Sequence, residues 1–262
     1  MTRITFLLLA CSAFLLTCCK PEAGKKEAGQ EMPANASMIP VEITQLNCWK
    51  ERGNFYVTGI CNSQSDQWQK IWLRMAPRDS TGKPLFYSGE AGIVFPVFSA
   101  AVPPRGRSAF FQGWSLKNFS KIPDTCRVVC AGAITTEPGP ILLVEGLSGV
   151  RMLAPVNPDS DTSAHKEQGW QISADLSNPL QMKAEQPCLE LLVYGKDNRL
   201  WFANMIKLSD PRLGQVVQME GKGPILPGTK RHFGTQVSYG RLPRELNKQK
   251  IGKVEIFAFE ER

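Results

Sequence analysis

Phe55-Tyr56-Val57-Thr58-Gly59-Ile60-Cys61-Asn62-Ser63 has a counterpart in Trp170-Gln171-Ile172-Ser173-Ala174-Asp175-Leu176-Ser177-Asn178-Pro179. Both read as strands closed by an Asn-Ser or Asn-Pro turn. The segments downstream of these strands repeat as well. Lys70-Ile71-Trp72-Leu73-Arg74-Met75 corresponds to Cys188-Leu189-Glu190-Leu191-Leu192-Val193-Tyr194, and Asp79-Ser80-Thr81-Gly82 to Lys196-Asp197-Asn198. Val102-Pro103-Pro104-Arg105-Gly106 leads to Phe110 as Ile225-Leu226-Pro227-Gly228 leads to Phe233. Asn62 to Gly82 and Asn178 to Asn198 are both 20 residues, and each proline, Pro104 or Pro227, precedes its phenylalanine by six. The halves close on alternating runs, Arg127 to Ala133 and Lys253 to Phe259. The middle loop differs in length, 22 residues from Gly82 to Pro104 against 29 from Asn198 to Pro227, and a polar loop at 154–169 replaces the tight turn at Glu51 to Asn54; such changes cost little loop entropy.

A fixed-order internal repeat is a fold signal in its own right. About seven short strands per half, with turns at these intervals, predict two tandem immunoglobulin-like antiparallel β-sandwiches in an all-β chain. Composition agrees: 22 Gly and 19 Pro cluster between short apolar runs, and a 42% hydrophobic share supports a core. The expected boundaries are residues 41–138 for the first sandwich and 139–262 for the second, with the break at Glu137-Pro138-Gly139-Pro140.

The motif order, a strand with V-x-G-x-x-N, a hydrophobic strand, a D-x-x-G turn, P-x-G and an aromatic strand, resembles FxLYD-type and related immunoglobulin-like domains of bacterial envelope lipoproteins. The resemblance covers residues 41–137 well and 140–259 more loosely. The Phe-x-Leu-Tyr-Asp string itself is absent; Leu73 to Asp79 and Leu192-Val193-Tyr194-Gly195 stand near its place. That family shares no catalytic residues, so the resemblance implies architecture and a binding or scaffolding role.

The N-terminus points to the same kind of protein. Met1-Thr2-Arg3 is followed by an uncharged run from Ile4 to Thr17, the pattern of a secretory signal. The run is shorter than the roughly 20 residues of a membrane span. Leu15-Leu16-Thr17-Cys18-Cys19 resembles a lipobox. Cys19 is the favoured lipidation site because Leu16 then takes the preferred upstream position, with Cys18 as the alternative. Residues 1–18 are therefore expected to be a lipoprotein signal peptide. Residues 19–40, rich in Lys, Glu, Gly, Ala and Pro, are expected to be a disordered tether. The implied location is a bacterial cell envelope, at a membrane, with palmitate-type acylation.

Eight cysteines occur, of which Cys48, Cys61, Cys126 and Cys130 fall in the first half and Cys188 in the second. Strand parity puts Cys61 on the face of Val57, pairs Cys48 with Val57 across the Glu51-Arg52-Gly53-Asn54 turn, and puts Cys126 and Cys130 on one face. Cys48 and Cys61 are then about 13 Å apart, too far for a disulfide, which needs Cα atoms within about 7 Å. Any bridge should tie Cys48 and Cys61 to Cys126 and Cys130; buried free thiols are the equal alternative.

The formal charge of +7 is concentrated. Residues 222–253 hold eight Lys and Arg, including Lys230, Arg231, Arg241, Arg244, Lys248 and Lys250, against Glu245 alone. Such a C-terminal basic hairpin suits an acidic protein, lipid or polymer partner, and a solvated hairpin face is the plainer reading. Nucleic acid is not an expected partner of an exported chain.

Motifs for chemistry are missing. His165 and His232 have no metal-ligand spacing, there is no Gly-x-Ser-x-Gly elbow, and Asp159 and Asp161 sit in a Ser/Pro loop. No catalytic residue, metal or cofactor is expected. Trp68, flanked by Gln and Asp, stands out as a loop tryptophan able to anchor a partner, with half-burial the plainer expectation. The sequence predicts a non-enzymatic binding or assembly module. Its rivals are an accessory subunit of an envelope or secretion complex, and a hydrolase or ligand-binding protein with a site no motif reveals.

Overall fold

A computed structural model of the chain describes residues 41–85, 93–99, 101–135, 141–153, 167–208, 218–219, 223–238, 242–244, 246 and 250–260. The first half contains β1 (Val41–Glu51), β2 (Asn54–Ser63), β3 (Gln69–Arg78), β4 (Ile93–Pro96), β5 (Arg107–Ser115) and β6 (Thr125–Ile134). The second contains β7 (Ile141–Leu153), β8 (Glu167–Ser177), β9 (Pro187–Gly195), β10 (Leu200–Lys207), β11 (Gln218–Met219), β12 (Lys230–Ser238) and β13 (Ile251–Glu260). The chain is all-β, and the paired strands are antiparallel.

Sheet β1-β2-β5 faces sheet β4-β3-β6 in the first half. In the second, β7-β8-β12 and β10-β9-β13 repeat these two orders, so the duplication read from the motifs is also a duplication of topology. Here the two sheets are joined: β7 pairs with β13 through Ile141 and Leu142, then crosses to β8 from Leu143 onward. A register shift between Glu145 and Ser148 bends the strand at this corner, as bulges do where a strand changes sheet.

Local chemistry explains the turns. Arg52 and Gly53 both have positive φ, the type I′ geometry that suits a two-residue hairpin between β1 and β2. The turn after β3 is held by Asp79, whose Oδ1 accepts from the Thr81 and Lys83 N–H groups at 3.0 Å each. One equivalence shifts by a residue. Asn178 caps its turn by accepting from the Leu180 N–H, and the matching act is performed by Ser63, not Asn62, toward the Ser65 N–H. Both positions also anchor the loop before the fifth strand, Ser63 to Gly106 and Asn178 to Thr229.

Each sandwich has its own core. Phe55, Val57, Cys61, Leu73, Met75 and Phe110 fill the first; Ile172, Leu176, Leu191, Val193 and Phe233 belong to the second. The halves do not stand apart. The outer face of β1-β2-β5 lies on the outer face of β10-β9-β13, so four sheets stack in succession. As a result all nine residues of β9 are buried, with alternate side chains serving the two contacts.

Candidate functional site

The contact between the halves has an aromatic side and a polar side. On the aromatic side Trp49 stacks on Tyr56 at 5.3 Å between centroids and meets Trp201 edge-on at 5.8 Å. Phe111 continues the cluster to Tyr56 and, at 5.4 Å, to Phe202 of the other half. Such pairs each add about 0.5–1.5 kcal/mol beyond the area they bury. Asn47 donates from Nδ2 to the Leu200 carbonyl beside them. Arg244 donates its N–H to Glu51 at 2.8 Å, closing that edge.

The polar side centres on Glu190, in the middle of β9. Its carboxyl reaches into the first half, accepting from the Ser108 hydroxyl at 2.5 Å and the Ala109 N–H at 3.0 Å. Ser108 is itself fixed by a bond from the Ser99 N–H at 2.9 Å. Burial raises the Glu190 carboxyl to about 7, against the opposing pull of Ser108, Ala109 and the nearby Arg107 charge. Arg107 lies over the Phe257 ring at 4.3 Å and pairs with Glu255 at 3.2 Å. Glu255 also accepts from the Tyr194 hydroxyl at 2.9 Å and pairs with Lys253. Partial burial works against ionisation of Glu255, yet Lys253, Tyr194 and Arg107 together hold it below the usual carboxylate range.

Arg107 separates two open clefts at the junction. One, of about 280 Å³, is lined by Thr44, Gln45, Ile60, Tyr194, Asn198 and Glu255. The other, of about 300 Å³, is more apolar, with walls that include Trp68, Pro103, Ile141, Leu143 and Phe257. Ile141 and Leu143 are 42% and 45% exposed there, so the apolar wall faces solvent. Glu190 and Glu260 also border this cleft, but both carboxylates are engaged, Glu260 by the Glu185 N–H. They brace the walls. Small-molecule and side-chain clefts concentrate at such domain junctions.

The cysteines fall where strand parity places them. Cys48 pairs with Val57 and Cys61 with Ile43, which keeps Cys48 and Cys61 apart along the hairpin. The Cys61 sulfur lies 3.7 Å from that of Cys130 across the sandwich. Contact with Cys130, and then burial, push the Cys61 thiol up; the same contact lowers Cys130. Cys48 takes a hydrogen bond from the main chain of Cys126, and burial raises these two thiols to about 11 and about 12. Cys48, Cys61, Cys126 and Cys130 are not joined by disulfides in this structure.

The basic segment is not a hairpin. Lys230 and Arg231 are on β12, bonded to β8 and β11, whereas Lys253 is on β13 between β9 and β7. β12 and β13 do not pair with each other, as the fifth and last strands of this topology do not, so Lys230 and Arg231 are not hairpin neighbours of Lys253. Lys230 pairs with Glu145, Arg231 donates to the Gly223 and Pro224 carbonyls at 2.7 Å, and Arg244 belongs to the interface. Lys250 is half-buried and its N–H donates to the Leu246 carbonyl at 2.8 Å. His232 meets Asp175 at 2.9 Å on an exposed sheet face, away from the clefts. Trp68 is half-buried and contributes to the apolar cleft. Cys18, Cys19, the tether, the Glu137–Pro140 break, Asp159, Asp161, His165, Arg241 and Lys248 lie outside the described residues. Among the described residues no group of His, Cys, Asp and Glu has the makings of a metal site. No described helix is long and apolar enough to cross a membrane.

The residues that sequence reasoning missed are those between the halves: Glu190, Ser108, Arg107, Glu255 and Tyr194. One signal was present. Cys188 to Tyr194 runs apolar on both parities, the mark of a strand covered on two faces, with Glu190 the lone charge inside it.

No family model matches the chain, and none of the curated proteins matches it. Among solved structures it is similar to red sea bream transglutaminase, at 12% identity and a TM-score of 0.22, over 84% of this chain and 29% of that one. It is also similar to the C-terminal globular domain of an oligosaccharyltransferase from Pyrococcus abyssi, at 8% identity and a TM-score of 0.18, over 80% of this chain and 42% of that one. The chain thus spans under half the length of either.

Proposed function

We propose that this chain is a lipid-anchored binding module of a bacterial envelope, held through Cys19 or Cys18, that takes an apolar side chain of a partner protein between its two sandwiches. The observation that carries this reading is the cleft of about 300 Å³ whose exposed wall is Ile141 and Leu143, beside Trp68 and Arg107. The aromatic contact and the Glu190 bonds fix the two halves, so the cleft is preformed and binding needs little ordering of the protein. The signal-like Ile4 to Thr17 run, the Cys18-Cys19 pair and the aromatic-free composition from Lys20 to Pro40 support the anchor. A second reading, a basic surface docking on an acidic partner, has less to stand on because Lys230, Arg231 and Arg244 already have partners within the chain.

Two measurements test the proposal. Replacing Cys18 and Cys19 together by Ser should release the chain from membranes in a flotation gradient; a variant that still floats at its mature size removes the lipid anchor. A photo-crosslinking residue at position 143 should trap one stoichiometric partner in native membranes. Ile141→Asp should cut that yield by about 10-fold or more, the loss expected from one buried aliphatic contact of about 1.5–3 kcal/mol. Equal yields with and without Ile141→Asp would refute the cleft as the binding site.

A further inference from the structure

We infer that the first sandwich is built to close two cross-sheet disulfides, Cys61–Cys130 and Cys48–Cys126, when it meets a disulfide donor. The inference rests on the Cys61–Cys130 sulfur contact and on strand register, not on the proposed binding role. Cys61 on β2 and Cys130 on β6 already face each other with their sulfurs 3.7 Å apart. A bond needs about 2 Å, a distance reachable by side-chain rotation without moving the sheets. The second pair is related to the first by translation. Four residues back along β6 from Cys130 is Cys126, and four back along β2 from Cys61 is Val57. Even steps keep the same face. Cys48 is the residue paired with Val57, and its sulfur is hydrogen-bonded to the Cys126 main chain.

The chemistry closes without further groups. Cys130 is the more open member of its pair, half-buried where Cys61 is fully buried. Its thiolate attacks one sulfur of the donor disulfide, forming a mixed disulfide and expelling one donor thiolate. Cys61 gives up its proton to that released thiolate or to solvent. The Cys61 thiolate then attacks the Cys130 sulfur and expels the second donor thiolate. Two protein thiols are oxidised, one donor disulfide is reduced to two thiols, and the protons balance. Cys48 and Cys126 react in the same way. The bond between Cys61 and Cys130 spans 69 residues of sequence, so it would constrain the unfolded chain over most of the first half. Cys188 lies on β9 of the other half and takes no part.

The test uses the full chain, reduced, refolded and incubated with oxidised glutathione before alkylation and peptide mapping by mass spectrometry. Expected are cross-linked peptides joining Cys61 to Cys130 and Cys48 to Cys126, with Cys188 alkylated, and a thermal midpoint higher by on the order of 10 °C than in dithiothreitol. Alkylated or glutathione-capped residues at these four positions, or a Cys48–Cys61 link, would overturn the inference. Cys61→Ala should leave Cys130 unpaired within the chain, alkylated or trapped as its mixed disulfide with glutathione, while Cys48–Cys126 still closes; pairing of Cys130 with Cys126 in that variant would overturn the connectivity. Because oxidation is done on purified protein, the result is independent of where the chain resides.

Discussion

Replacing Glu190 by Gln should make the protein less sensitive to rising pH. In the folded chain burial holds the Glu190 carboxyl at about 7, whereas an exposed glutamate has 4.5. Well below 4.5 both states carry the proton and the group adds no pH dependence to stability. Between 4.5 and about 7 the unfolded chain ionises while the folded one stays protonated, so stability falls as pH rises. Above 7 the folded carboxyl ionises too, and the penalty stops growing. Each tenfold change in proton affinity is worth about 1.4 kcal/mol, so the full loss is about 3 kcal/mol. Glutamine keeps an acceptor for Ser108 or Ala109 without the ionisation. Urea unfolding at intervals from pH 4 to pH 8 should show the wild type losing about 3 kcal/mol more than Glu190→Gln across that range. The other titrating groups are common to both chains and cancel in the difference. Parallel profiles, or a wild type that gains on the variant as pH rises, would refute the account of Glu190 as a desolvated carboxyl.

Trp49→Ala should cost about 3–5 kcal/mol by emptying the aromatic contact, and calorimetry should split one unfolding transition into two. Gly59→Ala should cost about 1–3 kcal/mol, since a Cβ there would fall 2.6 Å from the Phe110 ring; a denaturation midpoint equal to wild type would show that the ring can move. Asn178→Ala should cost about 2–3 kcal/mol, because its buried amide donates to the Met182 and Ile225 carbonyls and accepts from Leu180. Asn62→Ala should cost less, as Ser63 holds the matching turn.

The architecture was legible because turns and alternation are local. The Asp79 to Gly82 turn, the Pro104 to Phe110 entry and the Cys48 to Val57 register all obey short-range steric and parity rules, and the structure keeps them. The basic hairpin failed for a related reason. Proximity in sequence does not distinguish strands that pair from strands that cross between sheets, and β12 and β13 cross. Glu190 was hidden because its partners, Ser108 and Ala109, are about 80 residues away, and other contacts between the halves, such as Asn47 with Leu200, join residues further apart still. Reading Cys188 to Tyr194 as a strand covered on both sides would have exposed the contact, but not which face met it.

The complete burial of β9 bears on how the chain is made. During synthesis the first half emerges with Trp49, Tyr56, Ile60 and Phe111 on its surface, and must wait in that sticky state for β9 and β10 to arrive. A chaperone or the nascent second half has to shield it in the interval. With Ile60 and Ala109 packed in one cluster with Leu192 and Ala203, either half expressed alone would present this apolar face to water.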